Sequence, residues 1–401
     1  MRGRRRVVAL AAGGSVLAIA LGVGTALLTE GDMGDGGVDD DTLAIPRTAD
    51  PYPTPSAFSQ PPNCGVRTAT LDKVLPGGGS MRQEDGTCRF DIDYGSRSGW
   101  QGSLTVGLLA GRSSGPNPSV ADAMGLFEAT ADRGAWQDVS GLGDEAAVHH
   151  DGNLGITEVV LRVQGVRAHI VYSARRTKGF DRKPLDEKPS VDNALLVAAD
   201  VASALGGEVD SPTVGSQPAS APALHAPDAC DLIPAATLRK LHNGDDPKRL
   251  NLPPNSDGST DTCDWYSIPS ASGDSVLSLS VSVETFSDDG QASGERKAAR
   301  KFLKTYYEAR EGEYLIGDKA GRRFHPLSGP GNEALGYYYT RSGYRGPEVE
   351  REGCGVIVFR VRNIVVEVSY EGAADGKPLG EAAALNRAYL AAKDAAAALS
   401  G

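Results

Sequence analysis

The chain has 401 residues, with 52 Asp and Glu against 41 Lys and Arg, a formal net charge of −11, and 40% hydrophobic, 23% charged and 6% aromatic residues. This composition excludes wholesale disorder, a collagen-like fibre and a polytopic membrane protein, and the acidic balance excludes an electrostatic nucleic-acid binder, which needs a positive face to displace counterions from phosphates. At about 150 residues per domain the length implies two domains plus connectors, and the connectors are where 50 Gly and 24 Pro find room.

In chain order, Arg2, Arg4, Arg5 and Arg6 come first, followed at 7–28 by 22 residues without a charge. As a helix rising 1.5 Å per residue, that run spans a bilayer core of about 30 Å. The arginines on its short flank place residues 1–6 in the cytoplasm by the positive-inside rule, so 7–28 reads as a single-pass plasma-membrane anchor with the bulk of the chain extracytoplasmic. Gly24-Thr25-Ala26 would suit a cleaved signal peptide, but secretory cores usually run about 7–15 residues, which favours a retained anchor. No Cys lies near the run, so anchoring through a lipidated Cys is excluded. Residues 29–63 carry seven acids against Arg47 alone, with Pro51-Tyr52-Pro53-Thr54-Pro55, and read as a disordered tether.

The exported body is an internal repeat: a first module at 64–205, a Gly, Ser and Pro-rich linker at 206–228, and a second module at 229–401. Cys64, Thr70-Leu71-Asp72-Lys73 and Cys88-Arg89-Phe90 recur as Cys230, Thr237-Leu238-Arg239-Lys240 and Cys263-Asp264-Trp265. An alternating strand follows in each half, 103–108 and 276–283, with one apolar face. Helix patterns then occupy 120–131 and 296–308. Next comes the clearest local match, Ser140-Gly141-Leu142-Gly143-Asp144-Glu145-Ala146 against Ser328-Gly329-Pro330-Gly331-Asn332-Glu333-Ala334. Two β-rich runs follow, turning at Gln164-Gly165 and at Arg362-Asn363, where a tight hairpin places residues at positive φ. Ala and Leu-rich helices close the halves at 193–205 and 381–399. The fold class is α+β: two tandem modules, each an antiparallel sheet with helices packed on one face.

Each half has one Cys before its first helix and one on its first strand, in a chain exported to where disulfides persist, so Cys64 should pair with Cys88 and Cys230 with Cys263. Neither pair has Cys-x-x-Cys spacing or a His cluster, and no metal or other cofactor is expected. Cys354 is left over. It reads as a buried residue starting a strand, with an intermolecular disulfide or an alternative partnership with Cys230 or Cys263 as the other readings.

Ala229-Cys230-Asp231-Leu232-Ile233-Pro234, Cys263-Asp264-Trp265 and the Gly329-Pro330-Gly331-Asn332-Glu333-Ala334 turn together resemble a family of actinobacterial cell-envelope lipoproteins of unknown function. That family has a Cys-x-Leu-Leu opening, a Cys-x-Trp strand and a Gly-x-Gly-Asp-Glu-Ala turn. The likeness covers roughly 226–401 and is looser in the first half, where Phe90 stands for the Trp and Val66-Arg67 for the Leu pair. Related envelope folds include sensor domains of membrane kinases, and the resemblance implies ligand or partner binding rather than catalysis.

Candidate chemistry is sparse. Gly141-Leu142-Gly143 loosely fits a dinucleotide fingerprint but lacks a βαβ frame, and Asp144-Glu145 as an acid/base pair is undercut by Asn332 in the other half. His149-His150-Asp151 reads as a surface turn, and Gly111-Arg112-Ser113-Ser114-Gly115 as a loop, since Pro116 and Pro118 block a nucleophile elbow. Arg296, Lys297, Arg300, Lys301 and Lys304 line one side of a helix, either as a solvated face or as a patch for an anionic partner such as wall polymer or lipid headgroups. Arg175, Arg176, Lys178, Arg182 and Lys183 are a looser counterpart. Tyr337, Tyr339 and Tyr344 are candidate recognition aromatics, with strand alternation burying part of the run. The expectation is a noncatalytic, membrane-anchored binding or sensing protein of the envelope, partnered by an envelope protein or wall polymer. The alternatives are a structural accessory of a membrane secretion or wall-assembly complex, and an envelope hydrolase using residues such as Ser113, His150 or Glu333.

Overall fold

The computed structural model describes residues 42–52, 54–76, 80–92, 99–113, 116–131, 136–178, 181–215, 223–242, 247–252, 260–267, 275–288, 293–312, 323–341, 351–374 and 377–400. The expected anchor at 7–28 lies outside them, and among them no helix is long and apolar enough to cross a membrane.

The first module runs α1 (Thr68–Val74), β1 (Ser80–Glu84), β2 (Thr87–Asp91), β3 (Trp100–Ala110), α2 (Val120–Ala131), β4 (Gln137–Leu142), β5 (Glu145–Asp151), β6 (Ile156–Val163), β7 (Val166–Lys178), β8 (Asp181–Pro184), α3 (Glu187–Ala204) and β9 (Val209–Val214). The second runs α4 (Ala235–Leu241), β10 (Lys248–Leu252), β11 (Thr260–Tyr266), β12 (Ser275–Thr285), α5 (Gly294–Glu311), β13 (Arg323–Leu327), β14 (Glu333–Arg341), β15 (Glu352–Val361), β16 (Ile364–Ala374), β17 (Lys377–Pro378) and α6 (Glu381–Ser400). Both sheets are antiparallel and share one path, β1-β2-β3-β7-β6-β5-β4 and β10-β11-β12-β16-β15-β14-β13. The repeat is therefore a repeat of topology as well as of sequence.

Both expected disulfides form, Cys64–Cys88 and Cys230–Cys263, with Cα atoms 5.9 and 5.1 Å apart. The tyrosines of the central strands repeat a second tie. Tyr172 Oη donates to Val74 O at 2.9 Å and Tyr370 Oη to Leu241 O at 2.6 Å, so each satisfies the last carbonyl of the first helix of its module. One face of sheet 1 packs Leu104, Val106, Leu161 and Ile170 against Ala194, Val197, Ala198 and Val201 of α3. One face of sheet 2 packs Leu279, Val281, Phe359 and Val368 against the alanines of α6. The alanines let α6 lie very close: a Cβ at Gly355 would come within 2.5 Å of the Ala384 backbone.

The helices do not keep to one face as expected. On the opposite faces Phe127 of α2 packs on Ala147 and Val160, and Phe302 and Tyr306 of α5 pack on Leu335, Val356 and Val358. Strands β6 and β15 are covered on both sides, which accounts for their unbroken apolar runs in place of alternation.

The described parts of the two supposed connectors are also structured. From Thr42 onward the expected tether is part of the body: Ile45 is 5% exposed within the second module's core, Leu43 packs beside it, and Phe58 packs on the first module's core. Arg47 bridges to Leu327, and Thr48 N donates to Pro326 O and Ser328 N to Pro46 O, both at 3.1 Å. In the expected linker, β9 pairs with β4 in the same way, Val214 opposite Val139 and Thr213 opposite Ser140, with Gly215 N donating to Asp138 O. The residues preceding each module thus cover the edge strand of the other. Among the described residues nothing pairs with the edges β1 and β10, which carry charges such as Arg82, Glu84, Lys248 and Arg249 that disfavour edge-to-edge pairing.

Candidate functional site: a locked turn, a charged seam and an open sheet face

The Gly-x-Gly turn has the same wiring in both modules. Asp144 Oδ2 accepts from Gln164 N at 2.6 Å and from Arg162 Nη1 at 2.9 Å, while Arg162 Nε donates to Glu145 Oε2 at 2.8 Å. In the second module Asn332 Oδ1 accepts from Arg362 N at 3.0 Å and Arg360 Nε donates to Glu333 Oε2 at 2.7 Å. Gln164 and Arg362, at φ 52° and 54°, open the two-residue hairpins, so the side chain from the turn holds a backbone that a non-glycine residue enters at a cost. Only an acceptor is needed there, which is why Asp and Asn interchange. Gly143 and Gly331 have φ 61° and 69°, and a Cβ would meet Arg162 O at 2.7 Å and Arg360 O at 2.3 Å. This geometry is an ion-paired lock between hairpins, with neither carboxylate free for acid/base work.

Arg296, Arg300 and Lys304 of α5 do not face outward as a patch for an anionic partner but pair with the first module. Arg300 Nε donates to Glu145 Oε1 at 2.5 Å, Arg296 Nη1 lies 3.2 Å from Asp138 Oδ2, and Lys304 Nζ 2.6 Å from Glu128 Oε2. Lys301 pairs with Glu284 at 3.2 Å and Lys297 donates to Ser287 O. Arg300 also lies over the Phe127 ring, 5.2 Å from its centroid. At the other end Glu311 accepts from Ser119 Oγ at 2.6 Å and Val120 N at 2.9 Å, so α5 caps the N-terminus of α2. Val120, Ala121 and Met124 meet Tyr307, Leu303 and Tyr52 between these polar ends. Burial alone would raise the Glu145 carboxyl, but Arg162 and Arg300 outweigh it and hold it below its ordinary value.

Among the described residues nothing covers the face of sheet 1 beyond α2. Arg82 and Glu84 of β1, Thr87, Arg89 and Asp91 of β2, Gln101, Ser103 and Thr105 of β3, and Ser173 and Arg175 of β7 line a groove of about 1040 Å³. These are the outward positions of strands whose inward positions, Cys88, Phe90, Leu104, Val106 and Tyr172, build the core. Arg89 is paired with Asp91 at 2.9 Å, and Arg175 donates to Leu154 O. The groove therefore offers fixed donors and acceptors of both signs.

The remaining candidates are structural. Tyr337 is 5% exposed, and it and half-buried Tyr339 stack at 6.1 Å against the side of the sheet that α5 covers, so they do not present a recognition patch; Tyr344 lies outside the described residues. Tyr338, on the other face, donates to Leu379 O. Cys354 is a free, buried cysteine on β15, and burial pushes its thiol up to about 12. His149 and His150 lie within β5 instead of a surface turn, His150 against Thr157 and His149 against Trp136. Ser113 lies in a loop with its hydroxyl bonded to Asn117 O. Among the described residues no group of His, Cys, Asp and Glu could hold a metal ion. The sequence gives no direct sign of the groove beyond the alternation of β3, whose apolar face is legible and whose other face lines it.

No family model matches this chain, and no curated protein matches it. Among solved structures it is similar to the di-domain ARO/CYC StfQ from the steffimycin biosynthetic pathway, at 10% identity over 83% of this chain and 89% of that one, with a TM-score of 0.12. A likeness that slight carries no argument.

Proposed function

We propose that this chain is a noncatalytic binding protein of the cell envelope, held by a single N-terminal anchor, whose two modules form one displayed body. The uncharged run at 7–28 behind four arginines supports the anchor, and the two disulfides fit an oxidising extracytoplasmic compartment. The carboxylates that catalysis would recruit, Asp144, Glu145 and Glu333, are spent on arginines.

The observation that carries the reading is the open groove on sheet 1. Its lining alternates hydroxyls, amide and charges of both signs, a pattern suited to a polyhydroxylated, partly charged ligand such as a wall-polymer fragment. The test is a titration of the purified protein with solubilised wall fragments, alongside the double variant Arg89→Glu, Arg175→Glu. Saturable binding that the variant loses supports the reading; absence of binding, or binding the variant leaves intact, removes the groove from the account.

A further inference from the structure

Among the described residues, the trough beside the Gly-x-Gly turn is filled in one module and left as a cavity in the other. Leaving α3, the chain turns at Gly206, φ 82°, and runs back along the turn. Gly207 N donates to Ala202 O at 2.9 Å, and a Cβ on Gly207 would lie 2.7 Å from Val163 Cγ2. Glu208 O accepts from Gly143 N at 2.9 Å, and Asp210 O sits 1.8 Å from where a Gly141 Cβ would be. Residues 207–210 thus occupy the space between the end of α3 and the turn.

The second module builds the same trough from Gly329, Gly331, Asn332 and Val361 on one side and Tyr389, Lys393 and Ala396 of α6 on the other, and a cavity of about 410 Å³ remains. The segment that covers β13 does not enter it: before Pro46, which accepts from Ser328 N, the chain lies against Asn386 through Ala44 and Thr42. Tyr389 Oη, donating to Ser328 O, takes the place beside Gly329 that the Asp210 carbonyl takes beside Gly141. The Gly331 N–H, counterpart of the Gly143 N–H, has no acceptor among the described residues. Lys393 is exposed at the rim, with no carboxylate bonded to it among the described residues.

We propose that this trough binds an extended peptide segment, separate from any ligand of the sheet-1 groove. The segment places a carbonyl on the Gly331 N–H, a glycine or other small residue over Val361, and an acidic side chain near Lys393. Main-chain hydrogen bonding to an exposed stretch of backbone is the general mode, with pockets for alternate side chains setting specificity. The first module shows, with its own Gly207-Glu208-Val209-Asp210, which backbone path the shape accepts.

The test uses the full chain in detergent and a fluorescein-labelled peptide Gly-Gly-Glu-Val-Asp-Ser, the sequence of 206–211. Binding should saturate, and added protection from hydrogen exchange should centre on Gly331. Lys393→Glu, at an exposed position, should weaken it about tenfold, the effect of roughly one charge–charge contact, and Ala396→Phe, which fills the trough, should abolish it. No saturable binding up to millimolar peptide, binding unchanged in both variants, or protection appearing elsewhere would overturn the proposal. Because Lys393→Glu leaves the core untouched, a folding defect in Ala396→Phe does not blur the result.

Discussion

Glu145 ties the turn of the first module to α5 of the second. Its carboxylate joins Arg162 of its own module to Arg300 of the other, and its side chain is 10% exposed. Replacing it by Gln keeps the shape and removes one of the counter-charges of Arg162, which keeps Asp144, and of Arg300, which keeps the more distant Asp138, a loss of about 2 kcal/mol for hydrogen bonds between charged groups. The pH dependence follows from the direction of its shift. Its folded pKa is held below the ordinary 4.5, so its contribution is complete above that value and lost as pH falls through the lower, folded value. Urea unfolding should therefore show the wild type ahead of Glu145→Gln by that margin at pH 7, and the margin should shrink below about pH 4.5. An equal margin at pH 7 and pH 3 would show that the carboxylate charge is not what matters. Asp50, Asp200 and Glu381 are shifted in the same direction and steepen the acid limb that both proteins share.

At the scale of elements, the stretch 42–52 is the piece with the least sequence signal and a large structural role. Asp50 accepts from Tyr306 Oη at 2.7 Å and Arg310 Nη1 at 3.0 Å, and Tyr52 stands edge-on to Tyr306 at 4.7 Å while donating to Glu333 Oε1 at 2.9 Å. Tyr52→Ala should cost about 2 kcal/mol through lost packing and a lost bond. Its effect in hydrogen exchange should appear in α5 and β14, with α6 unchanged; uniform loss of protection would contradict a local role. Sequence reading missed this element because three residues of backbone pairing impose no side-chain pattern, and Pro46-Arg47-Thr48 looks like any polar connector. It missed the destination of the α5 cations for a related reason. Helical spacing tells which residues share a side, but the acids opposite, Glu128, Asp138 and Glu145, lie some 155–176 residues away in sequence. What was legible had local chemistry: the β3 and β12 alternation, the paired cysteines, the glycine turn, and the hairpin residues at positive φ. Even there the tyrosine run 337–339 was half read, because alternation predicts two faces and gives no sign that α5 covers the second.

For the whole molecule, the reciprocal edge segments and the α2–α5 seam make a continuous body of what the sequence presents as two beads on a string. Residues before the first module complete the second sheet, and residues before the second complete the first. The module that the proposed anchor leads into is thereby fixed to the module that follows it, and the groove on sheet 1 is held in one orientation to the trough on sheet 2. Both disulfides are internal to a module, so no covalent bond other than the linker joins the two. The most direct test is to introduce a protease site between Gly215 and Leu224, cut it to completion, and pass the product over a sizing column at micromolar concentration under non-reducing conditions. The account predicts that the two pieces elute together as a one-to-one complex and unfold in urea as a single transition. Two separate peaks, each still folded, would contradict it and return the molecule to independent modules.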